Sequence, residues 1–290
     1  MSMASVIVTL GVYAPDDARA QTTVNPVQTT TFVLTPAQNP IIFGSGTNIN
    51  TTATPGANAV NGGAGTVWDG TQLGSLLGAF QGIFLFETGS KLTNAGTITG
   101  ATSDGVQLLN GGTVINQATG FIRGAGNGVK ADSATITNDG SITGGPNGGG
   151  VGLTGSNSKV TNTGFITGGL FGVDIIGPSG TVANSGSVSS IGPGGLSVVF
   201  EGAGTNTLIL QTGTALRGDA VGSAAAGATN KLNLQGSGAV STNFLSFNSL
   251  DVQASGTWVL DDNSDVGSAT VSSGILVVGG GSLVPCSTAT

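Results

Sequence analysis

Arg217-Gly218-Asp219 places a cation and a carboxylate on either side of a glycine, the pairing that integrin-type receptors recognise when it stands in an exposed turn. Four aspartates, Asp104, Asp132, Asp139 and Asp174, would suit polysaccharide cleavage if two of them faced one another. They fall in different repeats at different offsets, so they read as solvated turn residues. The chain has no histidine, which removes Ser-His-Asp and Cys-His catalysis and any imidazole metal ligand. Asp261-Asp262-Asn263-Ser264-Asp265 offers oxygens to a hard cation such as calcium, but it lacks the glycine and terminal glutamate of an EF-hand and reads as a polar loop. Gly202-Ala-Gly-Thr-Asn206-Thr-Leu208 has the outline of a calcium-binding nonapeptide without its aspartate or tandem copies. Trp68 and Trp258, with Phe80, Phe84 and Phe86, would stack sugars if exposed and fill an interior or a cap if not; the second is expected, with Phe121 and Phe165 pointing outward. The residues thus predict no catalytic group, no cofactor and no metal. One binding candidate is left, Arg217, Gly218 and Asp219.

The elements that carry these residues repeat. Gly82-Ile83, Gly105-Val106, Gly128-Val129, Gly150-Val151, Gly172-Val173 and Gly195-Leu196 step by 22 or 23 residues, and between them Asn94, Asn116, Asn138, Asn162 and Asn184 step by 22, 22, 24 and 22. A fixed period of this size means stacked copies of one small unit. Each copy holds short runs of Val, Ile, Thr and Phe cut by Asn-x-Gly or Gly-Gly, with no helix-length periodic segment. The expected fold is therefore all-β: a single right-handed parallel β-helix, or solenoid, of about 22 to 23 residues per coil and ten or eleven coils. Coils about 4.8 Å apart would put like residue over like. Ile98, Ile122, Ile142, Ile166 and Val188 should form one interior ladder, and Val106, Val129, Val151, Val173 and Leu196 another. Gly96, Gly140, Gly164 and Gly186, each two residues after a ladder asparagine, are expected to supply bends of positive φ, with a bulged turn after Asn116, whose glycine is Gly120.

Composition fits stacking. Only 7% of residues are charged, against about 25% in an ordinary soluble chain. Like charges one coil apart repel by about 0.9 kcal/mol even at the dielectric of water, whereas Thr, Ser and Asn stack freely and Asn amides hydrogen-bond along their column. A net charge of -7, with four Lys and three Arg scattered singly along the sequence, disfavours nucleic acid and anionic membrane surfaces alike. Residues 1–20 read as a partial signal peptide, with an apolar Ala4 to Tyr13 and Ala18-Arg19-Ala20 as a small-x-small cleavage site. Residues 21–80 read as an N-terminal cap and irregular first coils, 81–200 as regular coils, and 201–290 as less regular coils truncated at the C-terminus. Cys286 alone supports no disulfide framework.

The Leu92-Thr-Asn-Ala-Gly-Thr-Ile98 repeats, Gly204-Thr-Asn-Thr-Leu-Ile-Leu-Gln-Thr-Gly213, Leu216-Arg-Gly-Asp219, Leu234-Gln-Gly-Ser-Gly238 and Phe247-Asn-Ser-Leu-Asp-Val-Gln-Ala-Ser-Gly-Thr-Trp-Val-Leu260 together resemble the passenger domains of bacterial autotransporters. The resemblance covers Gly82 to Gly281 and implies type V secretion, with a C-terminal outer-membrane β-barrel carrying the passenger to the cell surface. No barrel sequence is present in this chain, so membrane contact is expected only through that absent segment. Leu-x-Gly-Asp belongs to the family pattern, which leaves Arg217 as the one addition that completes the triplet. The expected function is structural and adhesive display at the cell surface or outside the cell, contacting a protein or glycan on host or neighbouring cells. The alternatives are a polysaccharide lyase or hydrolase, which needs carboxylates converging in a groove, and a self-associating aggregation factor.

Overall fold

A computed structural model describes residues 21–261 and 264–279, together with the backbone of 283–284. The expected signal segment, the Cys286 tail, Asp262 and Asn263 lie outside the described residues. Three long parallel sheets account for nearly every strand: a first of twelve strands, a second of nine and a third of ten. The chain visits them in turn, as in Ser90–Asn94, Thr97–Gly100 and Val106–Leu108, then begins the next coil at Gly112–Asn116. One three-residue 3-10 turn, Pro36–Gln38, is the only helical element among the described residues. The fold is a parallel β-solenoid.

Register follows the sequence ladders and extends them. Ile98, Ile122, Ile142, Ile166 and Val188 pair in the second sheet, continued below by Leu76 and Ile49 and above by Leu216. Val106, Val129, Val151 and Val173 pair in the third, continued below by Ile83 and Val60. The first coils, irregular in length, thus already belong to the stack. The expected Leu196 rung is corrected: Val198 lies beside Val173, while Leu196 pairs with Phe171 and is only half-buried. The Ile191-Gly192-Pro193-Gly194-Gly195 bend holds two residues too many for the period, so the Gly-apolar pair falls two residues short of its rung. The inward residues form one apolar cluster running from Leu34 to Val266. Burial on that scale, at about 25 cal/mol per Å², is the main force that holds a chain with so few charged residues.

Asparagine occupies the inside of the corner between the first and second sheets. Asn94, Asn116, Asn138, Asn162 and Asn184 are buried, and each Nδ2 donates to the next Oδ1 at 2.8, 2.8, 2.7 and 2.7 Å. The same amides donate to corner carbonyls, as Asn116 does to Gly120 across the longer turn. A second, shorter stack missed in the sequence joins Asn206 to Asn230 at 3.0 Å.

The corner glycines are there for space rather than for positive φ. None of Gly96, Gly140, Gly164 or Gly186 has positive φ. A Cβ on any of them would lie deep inside contact with a carbonyl of the preceding coil, at Gly74, Gly120, Gly140 and Gly164 respectively. Likewise a Cβ on Gly82, Gly105, Gly128, Gly150 or Gly172 would strike the Ile98, Ile122, Ile142, Ile166 or Val188 side chain. Gly164→Ala is expected to cost about 1 to 3 kcal/mol by forcing the Gly140 corner outward. Urea unfolding checks this, with Gly56→Ala as a contrast in which an added Cβ meets only open space and the strain comes from φ alone.

Coil length is uneven toward both ends, from the long Ile41 to Gly70 coil to the short ones that follow Leu232, and averages near the sequence period, so the first sheet holds twelve strands rather than the ten or eleven coils expected. Thr22 pairs with Ile41, Leu232 with Leu250 and Leu250 with Ala269. After Ala215–Arg217 the second sheet stops. Its role passes to the far halves of the long strands Ala228–Val240 and Ser249–Leu260, which shift register at Gly236 and Gly238. Trp258 is fully buried there, with its indole N–H on the Gln235 carbonyl at 3.2 Å. At about 4.8 Å per coil the stack is roughly 50 Å long.

Candidate functional site

Arg217 ends the second-sheet strand Ala215–Arg217, and Asp219 begins the third-sheet strand Asp219–Val221. Gly218 alone turns the chain between them, at φ 97. A side chain there would meet the Gly195 carbonyl as well as the strained backbone, so the corner itself requires the glycine. The triplet therefore lies across a sheet-to-sheet corner and not at the tip of a loop. With Ser190, Gly192, Gly194 and Gly195 it borders a shallow recess of about 310 Å³. Arg217 is exposed, while Asp219 is half-buried and accepts a hydrogen bond from Asn243 Nδ2 at 2.9 Å. The recess can offer one mobile cation and one anchored carboxylate to a polar partner.

The four sequence-selected aspartates are not brought together. Asp104 precedes the third-sheet strand Val106–Leu108, Asp132 follows Val129–Ala131, Asp139 lies at the first corner and Asp174 lies within Phe171–Ile175. Two of them are not solvated. Asp104 is buried and accepts from the Asn127 backbone at 2.8 Å and its Nδ2 at 3.1 Å, bracing a corner. Asp174 is 8% exposed, and its Oδ1 has no hydrogen-bond partner. Its neighbours in register are Gly152 and Val199, neither of which offers a side-chain donor. Burial, and then the negative charge of Glu201, push the Asp174 carboxyl up to about 7. Asp139 is exposed and takes a 2.7 Å hydrogen bond from Thr163 Oγ1.

Glu201 escaped the sequence reading because its placement beside Asp174 depends on the slipped rung at Val198. In the acidic loop, Asp261 and Asp265 are exposed and Ser264 is buried with its Oγ accepting from the Phe244 N–H at 3.3 Å. No grouping of three His, Cys, Asp or Glu suited to a metal is found among the described residues. Asn206, in the nonapeptide-like segment, is committed to the Gly202 carbonyl and to Asn230. Trp68 and Trp258 are interior residues and form no stacking platform, whereas Phe80, Phe121 and Phe165 are exposed as isolated rings. No helix among the described residues is long and apolar enough to cross a membrane. No protein-family model, curated protein or solved structure matches this chain.

Proposed function

We propose that this chain is an exported structural display module, a stiff β-solenoid that holds weakly charged faces and corner loops out to a protein or glycan on a host or neighbouring cell. The observation that carries the reading is the single twelve-stranded parallel sheet that runs from Thr22 to Val278 over one continuous core. Such a rod spends its sequence on length and repeated outward columns rather than on a deep pocket. The resemblance to autotransporter passengers supports export to the cell surface. An enzyme reading has one observation in its favour, the Asp174 and Glu201 pair. Asp174, however, is buried between Gly152 and Val199, and the cation of its column, Lys130, lies a further coil away beyond Gly152, an arrangement poorly suited to holding a substrate.

Adhesion of cells to immobilised full-length chain tests the display reading, and binding above an inert-protein surface is the expected result. Asp219→Glu is expected to bind cells at the parent level, because the Arg217 corner is set by the fold and its carboxylate is tied to Asn243. Loss of adhesion in a folded Asp219→Glu protein would transfer the function to the triplet. Absence of binding by the parent protein would overturn the display reading.

A further inference from the structure

Scattered in sequence, the lysines are not scattered in space. Along the first sheet one outward column reads Asp69, Lys91, Thr113, Thr135, Lys159, Thr181, Thr207, Lys231 and Ser249. Three of the four lysines of the chain thus share a single line, each separated from the next by two threonines. Three coils are about 14 Å. That exceeds the Debye length of about 8 Å at physiological salt, so the cations tolerate one another. Repulsion explains why they are not adjacent. It does not explain why they share a column, since three different faces would have separated them further.

A second observation falls in the same place. A shallow recess of about 340 Å³ is lined by Thr88, Gly89, Thr113, Ser133, Thr135 and Asn157, among others. Two of its threonines, Thr113 and Thr135, are the ones that stand between Lys91 and Lys159. The first residues of these strands are small, Ser90, Gly112 and Ala134, so the wall steps inward at this corner. Lys91 and Lys159 are exposed at the two ends. Of the carboxylates nearby, Asp69 lies one coil before Lys91, Glu87 beside Thr88 accepts from the Gly65 N–H at 2.6 Å, and Asp132 lies against the Gly155 backbone.

We propose that this column binds a sparsely charged acidic polysaccharide lying along the solenoid axis, with its carboxylates on Lys91, Lys159 and Lys231 and its neutral sugars over the intervening hydroxyls. The proposal rests on the display reading for its setting and names the ligand class for one face of the rod. Nucleic acid fits less well, because its charges are several times denser than one cation per three coils.

The test uses the full-length chain and partly methyl-esterified polygalacturonate, with binding followed by affinity electrophoresis at low and physiological salt. Retardation that weakens with salt is expected, with none on the fully esterified polymer. Lys91→Gln with Lys159→Gln is expected to bind about tenfold more weakly, Lys91→Arg with Lys159→Arg to bind as the parent does, and Lys130→Gln on the third sheet to change nothing. Circular dichroism and the thermal midpoint of each variant separate lost binding from lost fold. No retardation of the parent, an unchanged double glutamine variant, or equal retardation of the fully esterified polymer or of single-stranded DNA would each overturn the proposal. If the double glutamine variant binds the acidic polymer normally yet the protein still adheres to cells, the lysine column falls and the display reading stands.

Discussion

Asn138→Ala is expected to destabilise the solenoid by about 3 to 5 kcal/mol, a loss far above that of a surface substitution. Asn138 is buried at the middle of the ladder. Its Oδ1 accepts from Asn116 at 2.8 Å, and its Nδ2 donates to Asn162 Oδ1 at 2.7 Å, to the Phe165 carbonyl at 3.1 Å and to the Gly140 carbonyl at 3.3 Å. Alanine would take the only donor from Asn162 Oδ1, buried and out of reach of water, and one of three acceptors from Asn116 Nδ2, which keeps the Gly120 and Ser141 carbonyls. An unsatisfied buried polar group costs about 1 to 3 kcal/mol, and the space left behind adds to that. Asn184→Ala should cost clearly less, because the residue above it in register is Leu210 and no further asparagine depends on it. Each coil touches only its neighbours, so the damage should begin locally, as faster amide exchange in the coils on either side of Asn138. Urea unfolding of the two variants side by side decides the matter. A cost below about 1 kcal/mol for Asn138→Ala, or equal costs for the two, would mean that the ladder is ornament and the apolar columns alone set the fold.

The ladder was legible in the sequence because stacking converts a period in the chain into a column in space. Asn94 to Asn184 and Ile98 to Val188 could be read as columns for that reason. The reading failed where the period broke. Two extra residues before Leu196 move Val198 onto the rung, and with that shift Glu201 comes up beside Asp174. The glycines were recognised as corner residues but for the wrong cause: their φ values are ordinary, and it is the carbonyl of the coil before that excludes a Cβ. Sequence spacing carries no record of such a clash, which depends on how closely two coils approach. The lysine column was hidden for a different reason. Lys91, Lys159 and Lys231 are 68 and 72 residues apart, a separation that means nothing until register assigns all three to one line. Asp104 and Asp174 were misjudged because aspartate is so often a solvated turn residue. What buries them is the third sheet and its corners, which local sequence does not reveal.

Asp174 makes stability depend on pH in a direction opposite to that of a salt-bridged carboxylate. Its carboxyl is held at about 7 in the folded chain against an ordinary value of 3.8, so between those limits the folded state keeps a proton that the unfolded state releases. Stability is therefore greatest below about 3.8, falls as pH rises toward 7, and levels off above that. Three pK units correspond to roughly 4 kcal/mol at 1.36 kcal/mol per unit, and at 8% exposure solvent screens little of it. Asp174→Asn keeps the shape and removes the titration. It should match the parent near pH 4 and exceed it by several kcal/mol at pH 8, where the parent must bury a charge between Gly152 and Val199. Glu201→Gln should recover only part of that difference, since burial is the larger cause and the Glu201 charge the smaller. Urea midpoints of the three proteins from pH 4 to 8 supply the measurement. Curves for parent and Asp174→Asn that run parallel across this range would show that Asp174 is hydrated after all, and a parent that gains stability from pH 4 to 7 relative to Asp174→Asn would show that a cation reaches it.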